Sequence, residues 1–378
     1  MISSAIAPIQ LPFAPRPIST ELLSSWLLRV AAANLVSLWE LLQGFEFRYG
    51  RVLTNVTVDY SLGDAAVAAL SQFCRVAPEK IRALDLRQRS PHLSPALLLG
   101  FRFQNALLVC PRYSLRRVRY AFCPLCIARQ RVLHVRWDWS VACLIHCAVH
   151  RTPLLDGCPA CGEPDPLTFS GLDLSPIRLC RSCGMDLTEG VDHLSEGREK
   201  TNLQAIEDAF RAALMGVTPG PALLGEATDR AFRQFVEDMF QVLTRSLNPP
   251  SACPSTSAVP VLRRDILQII AALILNAAPS SGPSARCKRY ARGLILWATL
   301  LKVIPEYEGI TLEQSSRRWP VALRRRFVSA LYYRTRKRWP YTPYRAAGDF
   351  GNRFKYSDVV SVYDLSAGKR PPSGKFPI

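Results

Sequence analysis

Hydrophobic positions recur at helical spacing along most of the chain. In "TELLSSWLLRVAAANLVSLWELLQ" (20–43), Leu22, Trp26, Arg29/Val30 and Ala33 fall on one face. This pattern predicts a helix capped by Ser19 or Thr20 and broken at Gly44. The stretch 63–90, "GDAAVAALSQFCRVAPEKIRALDLRQRS", reads as a short apolar helix from Asp64 to Phe73, a tight break at "CRVA", and a second short helix. That second helix opens on Pro78, which suits a first helical position because its missing N–H has no partner to lose there. Its Ile81 and Leu84 turn inward. Helix, short turn, helix is the layout of a DNA-reading helix-turn-helix, and equally of an ordinary helical hairpin. On the first reading the exposed face offers Lys80, Arg82 and Arg87. The turn lacks the Gly that is frequent there.

The helical period fades between residues 120 and 190, where short β-hairpins fit better. It returns over 202–247 and, past a Pro/Ser-rich linker at 248–260, over 261–345. The longest apolar run, "ILQIIAALILNAA" (266–278), is too short to span a bilayer and carries Gln268 and Asn276. It reads as a buried helix. The expected organisation is a Pro-rich arm (1–18), a helical domain with the helix-turn-helix-like segment (19–119), a tandem zinc-binding region (120–195), a helical segment (196–247), the linker (248–260), a basic helical domain (261–348) and a tail (349–378). The fold class is mainly α with small β zinc-ribbon-like modules: an N-terminal helix-turn-helix-like domain, a central tandem zinc-binding domain and a C-terminal basic helical domain.

Charge narrows the partners. The 378 residues carry a formal charge of +18, and the pI is near 9.7. Such an excess points to a polyanion, most often nucleic acid, with an anionic membrane surface as the other candidate. The stretch "MISSAIAPIQLPFAPRP" has no basic segment leading into an apolar one, so it is not a secretory signal. The expected location is the bacterial cytoplasm, with no membrane partner. Thiols stay reduced there, so the twelve cysteines call for an explanation other than disulfides.

Eight of those cysteines form four close pairs. "CPACG" (158–162) and "CRSCG" (180–184) place Cys158 and Cys161, then Cys180 and Cys183, with eighteen residues between the pairs. Two such pairs at this distance signal a zinc site. A two-residue spacer lets one tight turn aim both sulfurs at one ion, and Gly162 and Gly184 supply the positive φ such turns need. A second site opens with Cys123 and Cys126. "CLIHCAVH" (143–150) offers two completions, Cys143 with His146 or Cys147 with His150, and sixteen or twenty intervening residues both fit. Knuckle chemistry leans to the second pair, because "CAVH" puts smaller residues at a solvent-edge tip than "CLIH" does. Each site has four ligands and none to spare. Two structural zinc ions are therefore expected, without catalysis.

Taken in order, these pieces resemble the TniQ/TnsD family of transposition proteins. "ELLSSWLLRVA" (21–31) is similar to the family's "ESLxSWLxRLA" opening. "YAFCPLCIARQRVLHVRWDWSVACLIHCAVHRTPLLDGCPACG" resembles its CPxC, aromatic-basic segment, Trp, CxxH, leucine pair and CPxCG, and "CRSCGMDL" (180–187) its closing knuckle. The likeness covers about residues 11–190. The family register puts a ligand Cys eight residues after a Trp and a ligand His about eight before CPxCG; Trp139 to Cys147 and His150 to Cys158 meet both. The resemblance thus implies Cys123, Cys126, Cys147 and His150 as site one, and Cys158, Cys161, Cys180 and Cys183 as site two. It implies an adaptor without a catalytic centre that selects a target for DNA transposition. Its partners would be DNA, an AAA+ ATPase regulator, the transposase indirectly, and in some systems an RNA-guided targeting complex; a homodimer is a further candidate assembly. The extra Cys143–His146 pair and the closing half of the chain match no family motif.

Residues 284–345 hold fifteen Lys/Arg against three Glu. In "RRWPVALRRRFVSALYYRTRKRWPYTPYR", Val321, Phe327/Val328 and Leu331 would face a core. Arg324, Arg325, Arg334, Arg336, Lys337 and Arg338 would lie outside and contact nucleic acid. The interleaved aromatics, Trp319 among them, either stack on bases or pack inward. A zinc-ribbon transcription regulator is the second reading of the whole chain. An enzyme is disfavoured: there are five His and no clustered Asp/Glu with metal spacing.

Overall fold

The computed structural model describes residues 10–50, 53, 58–99, 120–163, 166–167, 178–180, 182–189, 202–217, 229–247, 260–277, 283–304 and 306–336. The chain divides into two compact units, Met1–Lys200 and Thr201–Ile378.

In the first unit the single helix expected over 20–43 is two, α1 (Leu23–Ala33) and α2 (Leu38–Tyr49). The break comes from local polar chemistry. Asn34 turns its amide onto Val30 O at 2.7 Å and brackets the Phe13 backbone, accepting from Phe13 N at 3.2 Å and donating to Phe13 O. Leu35 then takes a left-handed φ of 55°. Ser37 and Glu40 restart the helix with a capping box, each side chain accepting from the other's backbone N–H. Gly44, expected to end the helix, sits inside α2 with open space around it.

α3 (Asp64–Cys74) ends at Arg75 in the left-handed region, and α4 (Pro78–Arg82) follows. The second helix stops after five residues, and α5 (Leu86–Arg89) begins afresh. Asp85 causes the interruption. Its buried carboxylate accepts from Leu62 N at 2.6 Å and Arg87 N at 2.8 Å, so it caps the next turn instead of continuing the last. Ile81 and Leu84 do turn inward, joining Trp26, Leu27 and Val30 of α1, Leu41 and Phe45 of α2, and Leu70 and Phe73 of α3 in one core. Arm residues lie along this core: Leu11 N donates to Phe73 O at 2.9 Å, and Trp26 Nε1 to Pro15 O at 2.8 Å.

The metal-bearing stretch opens on α6 (Pro124–Arg129), a helix where hairpins were expected. Beyond it, among the described residues, the β character is confined to isolated antiparallel bridges, such as Phe122 with Leu155, His146 with Pro153 and Leu179 with Asp186. Tight knuckle turns are enclosed by the His146–Pro153 and Leu179–Asp186 bridges. One edge of this stretch pairs with the start of α1. Leu22 N donates to Val135 O at 2.9 Å, Trp137 N to Thr20 O at 2.9 Å, and Val135 N to Ser25 Oγ at 2.9 Å. Ser25 Oγ donates to Glu21 Oε1 at 2.9 Å, and Arg29 Nε closes on the same oxygen at 3.0 Å.

The second unit comprises α7 (Asn202–Leu214), α8 (Asp229–Leu247), α9 (Pro260–Ala277), α10 (Pro283–Val303), α11 (Glu306–Ser315) and α12 (Val321–Arg336). α9, buried along Ile266, Ile269, Ile270, Leu273 and Ile274, packs against α7, α8, α10 and α12. Phe235, Trp297, Trp319 and Phe327 form an aromatic cluster with ring centroids 5.0–6.4 Å apart. Among the described residues no helix is long and apolar enough to cross a membrane.

Candidate metal centres

Site one is built from a helix start and a turn. Cys123 is the N-cap of α6, and its Sγ accepts from Cys126 N at 3.4 Å. Pro124 follows at the first helical position, so the Cys-x-x-Cys spacing puts both sulfurs on one side of the opening turn. Opposite them, His150 N donates to Cys147 Sγ at 3.5 Å, and Arg151 turns the chain with φ 61°. Cys147 N donates to Thr152 O at 2.8 Å, which closes the turn.

The four ligand atoms all lie within 4.8 Å of one another. His150 Nδ1 is 3.5 Å from Cys123 Sγ, 3.2 Å from Cys126 Sγ and 3.8 Å from Cys147 Sγ; Cys126 Sγ is 3.5 Å from Cys147 Sγ. A tetrahedral zinc with bonds of about 2.3 Å to sulfur sets ligand–ligand edges of roughly 3.3–3.8 Å. These four distances, 3.2–3.8 Å, lie close to that size. Cys143, Leu144 and Ile145 are buried beside it, while His146 bridges to Pro153; neither Cys143 nor His146 belongs to the quartet.

The electrostatics call for a cation. Hydrogen bonds from Cys126 and Cys147 hold the Cys123 thiol down to about 3 against burial. The same crowding pushes Cys126 far up, first through Cys123 and Cys147 and then through desolvation. Cys123 and Cys126, pushed in opposite directions, do not both ionise by themselves. A divalent ion at their centre resolves the conflict by stabilising every thiolate at once.

Site two repeats one turn twice. Cys158 N donates to Glu163 O at 2.9 Å and Gly162 N to Cys158 O at 2.9 Å; Cys180 N donates to Met185 O at 2.7 Å and Gly184 N to Cys180 O at 2.9 Å. Gly162 and Gly184 hold φ of 74° and 73°, the left-handed turn expected of them. Cys158 faces Cys183 and Cys161 faces Cys180, each pair at 3.7 Å between sulfurs. Ser182 Oγ donates to Glu163 Oε2 at 2.8 Å across the two knuckles. These four ligand atoms also lie within 4.8 Å of one another. Both quartets can hold a metal ion, and their donor sets suit zinc. Four protein donors would complete the tetrahedron of an ion held in either quartet.

The basic residues fall into distinct settings. Lys80, Arg82 and Arg87 are exposed in the first unit, and Arg82 pairs with Asp64 at 3.0 Å. In the second unit Arg324 and Arg325 are exposed on α12. Arg334 and Arg336 belong to α12, but their side chains lie outside the described residues, as do Lys337 and Arg338 entirely. The inward face of α12 differs from expectation. Leu323, Phe327 and Ala330 are buried, whereas Val321 is 64% and Val328 41% exposed. Trp319 is core: its Nε1 donates to Asp238 Oδ2 at 2.6 Å inside the aromatic cluster. Arg326 lies over the Tyr290 ring at 5.6 Å and against Gly293. Arg317 and Arg318 are exposed on the 3-10 turn before α12; in the sequence only the local density of charge marks them.

The TniQ family model matches residues 12–154. That span contains the α1 opening motif and all four ligands of site one, and it ends before Cys158. No curated protein matches the chain. The family is one of non-catalytic transposition adaptors. Within the matched span, Ser25 receives Val135 N from the segment bearing site one and passes the connection to Glu21 and Arg29. The chain therefore carries a TniQ domain over residues 12–154.

Proposed function

We propose that this protein is a DNA-associated adaptor that selects the target site for DNA transposition and recruits an AAA+ ATPase regulator, and through it the transposase. The observation that carries the reading is the TniQ match, with a complete Cys3His quartet inside it. On this reading two zinc ions, one held by Cys123, Cys126, Cys147 and His150 and the other by Cys158, Cys161, Cys180 and Cys183, keep turn-rich backbone in shape, and the protein performs no chemistry itself. The helix-turn-helix-like face with Lys80, Arg82 and Arg87, and the basic face with Arg324, Arg325, Arg334, Arg336, Lys337 and Arg338, contact DNA phosphates. The formal charge of +18 supports a polyanionic partner.

The test is a pull-down of the cognate AAA+ ATPase by the zinc-loaded protein, with and without DNA, at low and moderate salt. Retention of the ATPase together with salt-sensitive DNA binding is expected. A protein that binds DNA but never the ATPase would shift the reading to a transcription regulator.

A further inference from the structure

The two cysteine quartets differ in exposure. All four residues of site one are buried, and Leu125, Ile127, Trp139 and Thr152 around them are buried as well. In site two Cys161 and Cys183 are exposed, and so are Pro159, Ala160, Gly162, Ser182 and Gly184 around them. A Cβ placed on Gly162 or Gly184 would meet nothing within 4 Å, so both knuckle tips stand in open space. Each exposed sulfur also sits 3.7 Å from a buried sulfur of the opposite knuckle, Cys183 from Cys158 and Cys161 from Cys180. A disulfide needs its sulfurs at about 2.05 Å, a closure of under 2 Å by side-chain rotation and small knuckle movement.

We propose that site two is an oxidisable zinc–thiolate centre: peroxide reaches it, joins Cys158 to Cys183 and Cys161 to Cys180, and expels its zinc while site one stays loaded. For each disulfide, two thiolates and one hydrogen peroxide take up two protons and give one disulfide and two waters. The sulfurs lose two electrons and the peroxide oxygens gain them. A thiolate attacks the peroxide to form a sulfenic acid and water, and the facing thiolate displaces the second oxygen, which leaves as water. Disulfide sulfurs do not hold zinc, so the ion departs as a divalent cation. Accessible thiolates oxidise first, which is why Cys161 and Cys183 are the points of attack and the buried trio of site one is spared. The consequence is local. The change is confined to the knuckles that carry the Leu179–Asp186 bridge and the Ser182–Glu163 contact, and leaves the segment paired with α1 in place.

The inference rests on both quartets holding zinc, so the experiment begins by measuring zinc in the full chain. Two equivalents per chain are expected; fewer before any oxidant is added would overturn the zinc reading itself. Loaded protein is then treated with hydrogen peroxide, with released zinc read by a chromogenic chelator and cysteine states by peptide mapping. Release of one equivalent is expected, with Cys158–Cys183 and Cys161–Cys180 disulfides and with Cys123, Cys126 and Cys147 unmodified. Dithiothreitol and zinc should restore the second equivalent. Release of both equivalents at one rate, release of neither, or first oxidation of Cys123, Cys126 or Cys147 would overturn the proposal. As a check independent of oxidation, the chelator alone should strip one equivalent at least tenfold faster than the other, and Cys161→Ser/Cys183→Ser should retain one slowly released equivalent. Equal rates in the unaltered protein would likewise overturn it.

Discussion

The amide of Val135 donates to Ser25 Oγ at 2.9 Å although the two residues stand 110 positions apart. Ser25 passes the connection to Glu21, and Glu21 to Arg29. The TniQ opening motif is thus a buried polar chain that ties the first helix to the segment carrying the first metal centre. Ser25→Ala leaves the Val135 N–H buried without its partner, at a cost of about 1–3 kcal/mol. Urea unfolding of the zinc-loaded protein should show a loss of that size in the first unit, with Ser25→Thr losing less.

Glu21 links the same chain to pH. Burial pushes its carboxyl up to about 7, against the pull of Arg29, the Ile18 amide and Ser25. Between pH 4.5 and about 7 the unfolded chain gives up a proton that the folded chain keeps, so this group's contribution to stability falls as pH rises. The loss totals about 3 kcal/mol above that window. Glu21→Gln removes the dependence. Metal binding itself depends on pH in both proteins, so the quantity to measure is the difference in stability between parent and variant at each pH. A flat difference from pH 5 to 8 would refute the assignment.

Cys147→Ser should cost one metal equivalent per chain by elemental analysis, whereas Cys143→Ser should retain two. Cys147 is 3.5 Å from Cys126 Sγ inside the quartet, and Cys143 is a buried neighbour outside it. The opposite result would assign the metal to the first Cys-x-x-His pair.

Chelation should act on one unit only. Hydrogen exchange read peptide by peptide should rise over residues 120–163 and 178–189 when metal is removed, because turns and single bridges hold little there without it. Exchange in α8, α9 and α10 should not change.

The arginines of the second unit should separate by role. Arg324→Ala with Arg325→Ala should weaken DNA binding and reduce its salt slope by about 2, one unit for each guanidinium taken off a phosphate. Arg326→Ala should leave the slope alone and lower stability slightly, since that side chain lies over Tyr290. Trp319→Ala should destabilise the second unit by about 3–5 kcal/mol. If Trp319→Phe, with the core filled, weakened DNA binding, the ring would be stacking on bases after all.

The legible parts of this fold were those set by short spacing. Cys158, Cys161, Cys180 and Cys183 could be grouped because a two-residue knuckle is a local event, and Gly162 and Gly184 declared its turns. The choice of Cys147 over Cys143 was not in the spacing; it needed the family register, because both pairs lie one turn apart on the same approach. The breaks at Asn34 and Asp85 went unseen for a related reason. Each is a polar side chain whose competing partner, the Phe13 backbone or Leu62 N, is distant in sequence. On α12 periodicity placed Phe327 inside but could not tell Val321 and Val328 from core, since a helix face is chosen by what it meets.

Pairing between residues 20–25 and 134–137 has a consequence for inheritance. The edge that receives α1 is carried on the stretch closed off by the first metal centre, so neither piece completes its surface without the other. An exchange of sequence between relatives with a crossover anywhere from 26 to 133 would join a donor edge and an acceptor edge that had not been selected together. The helices and the metal-bearing turns of the first unit should therefore travel between lineages as one block.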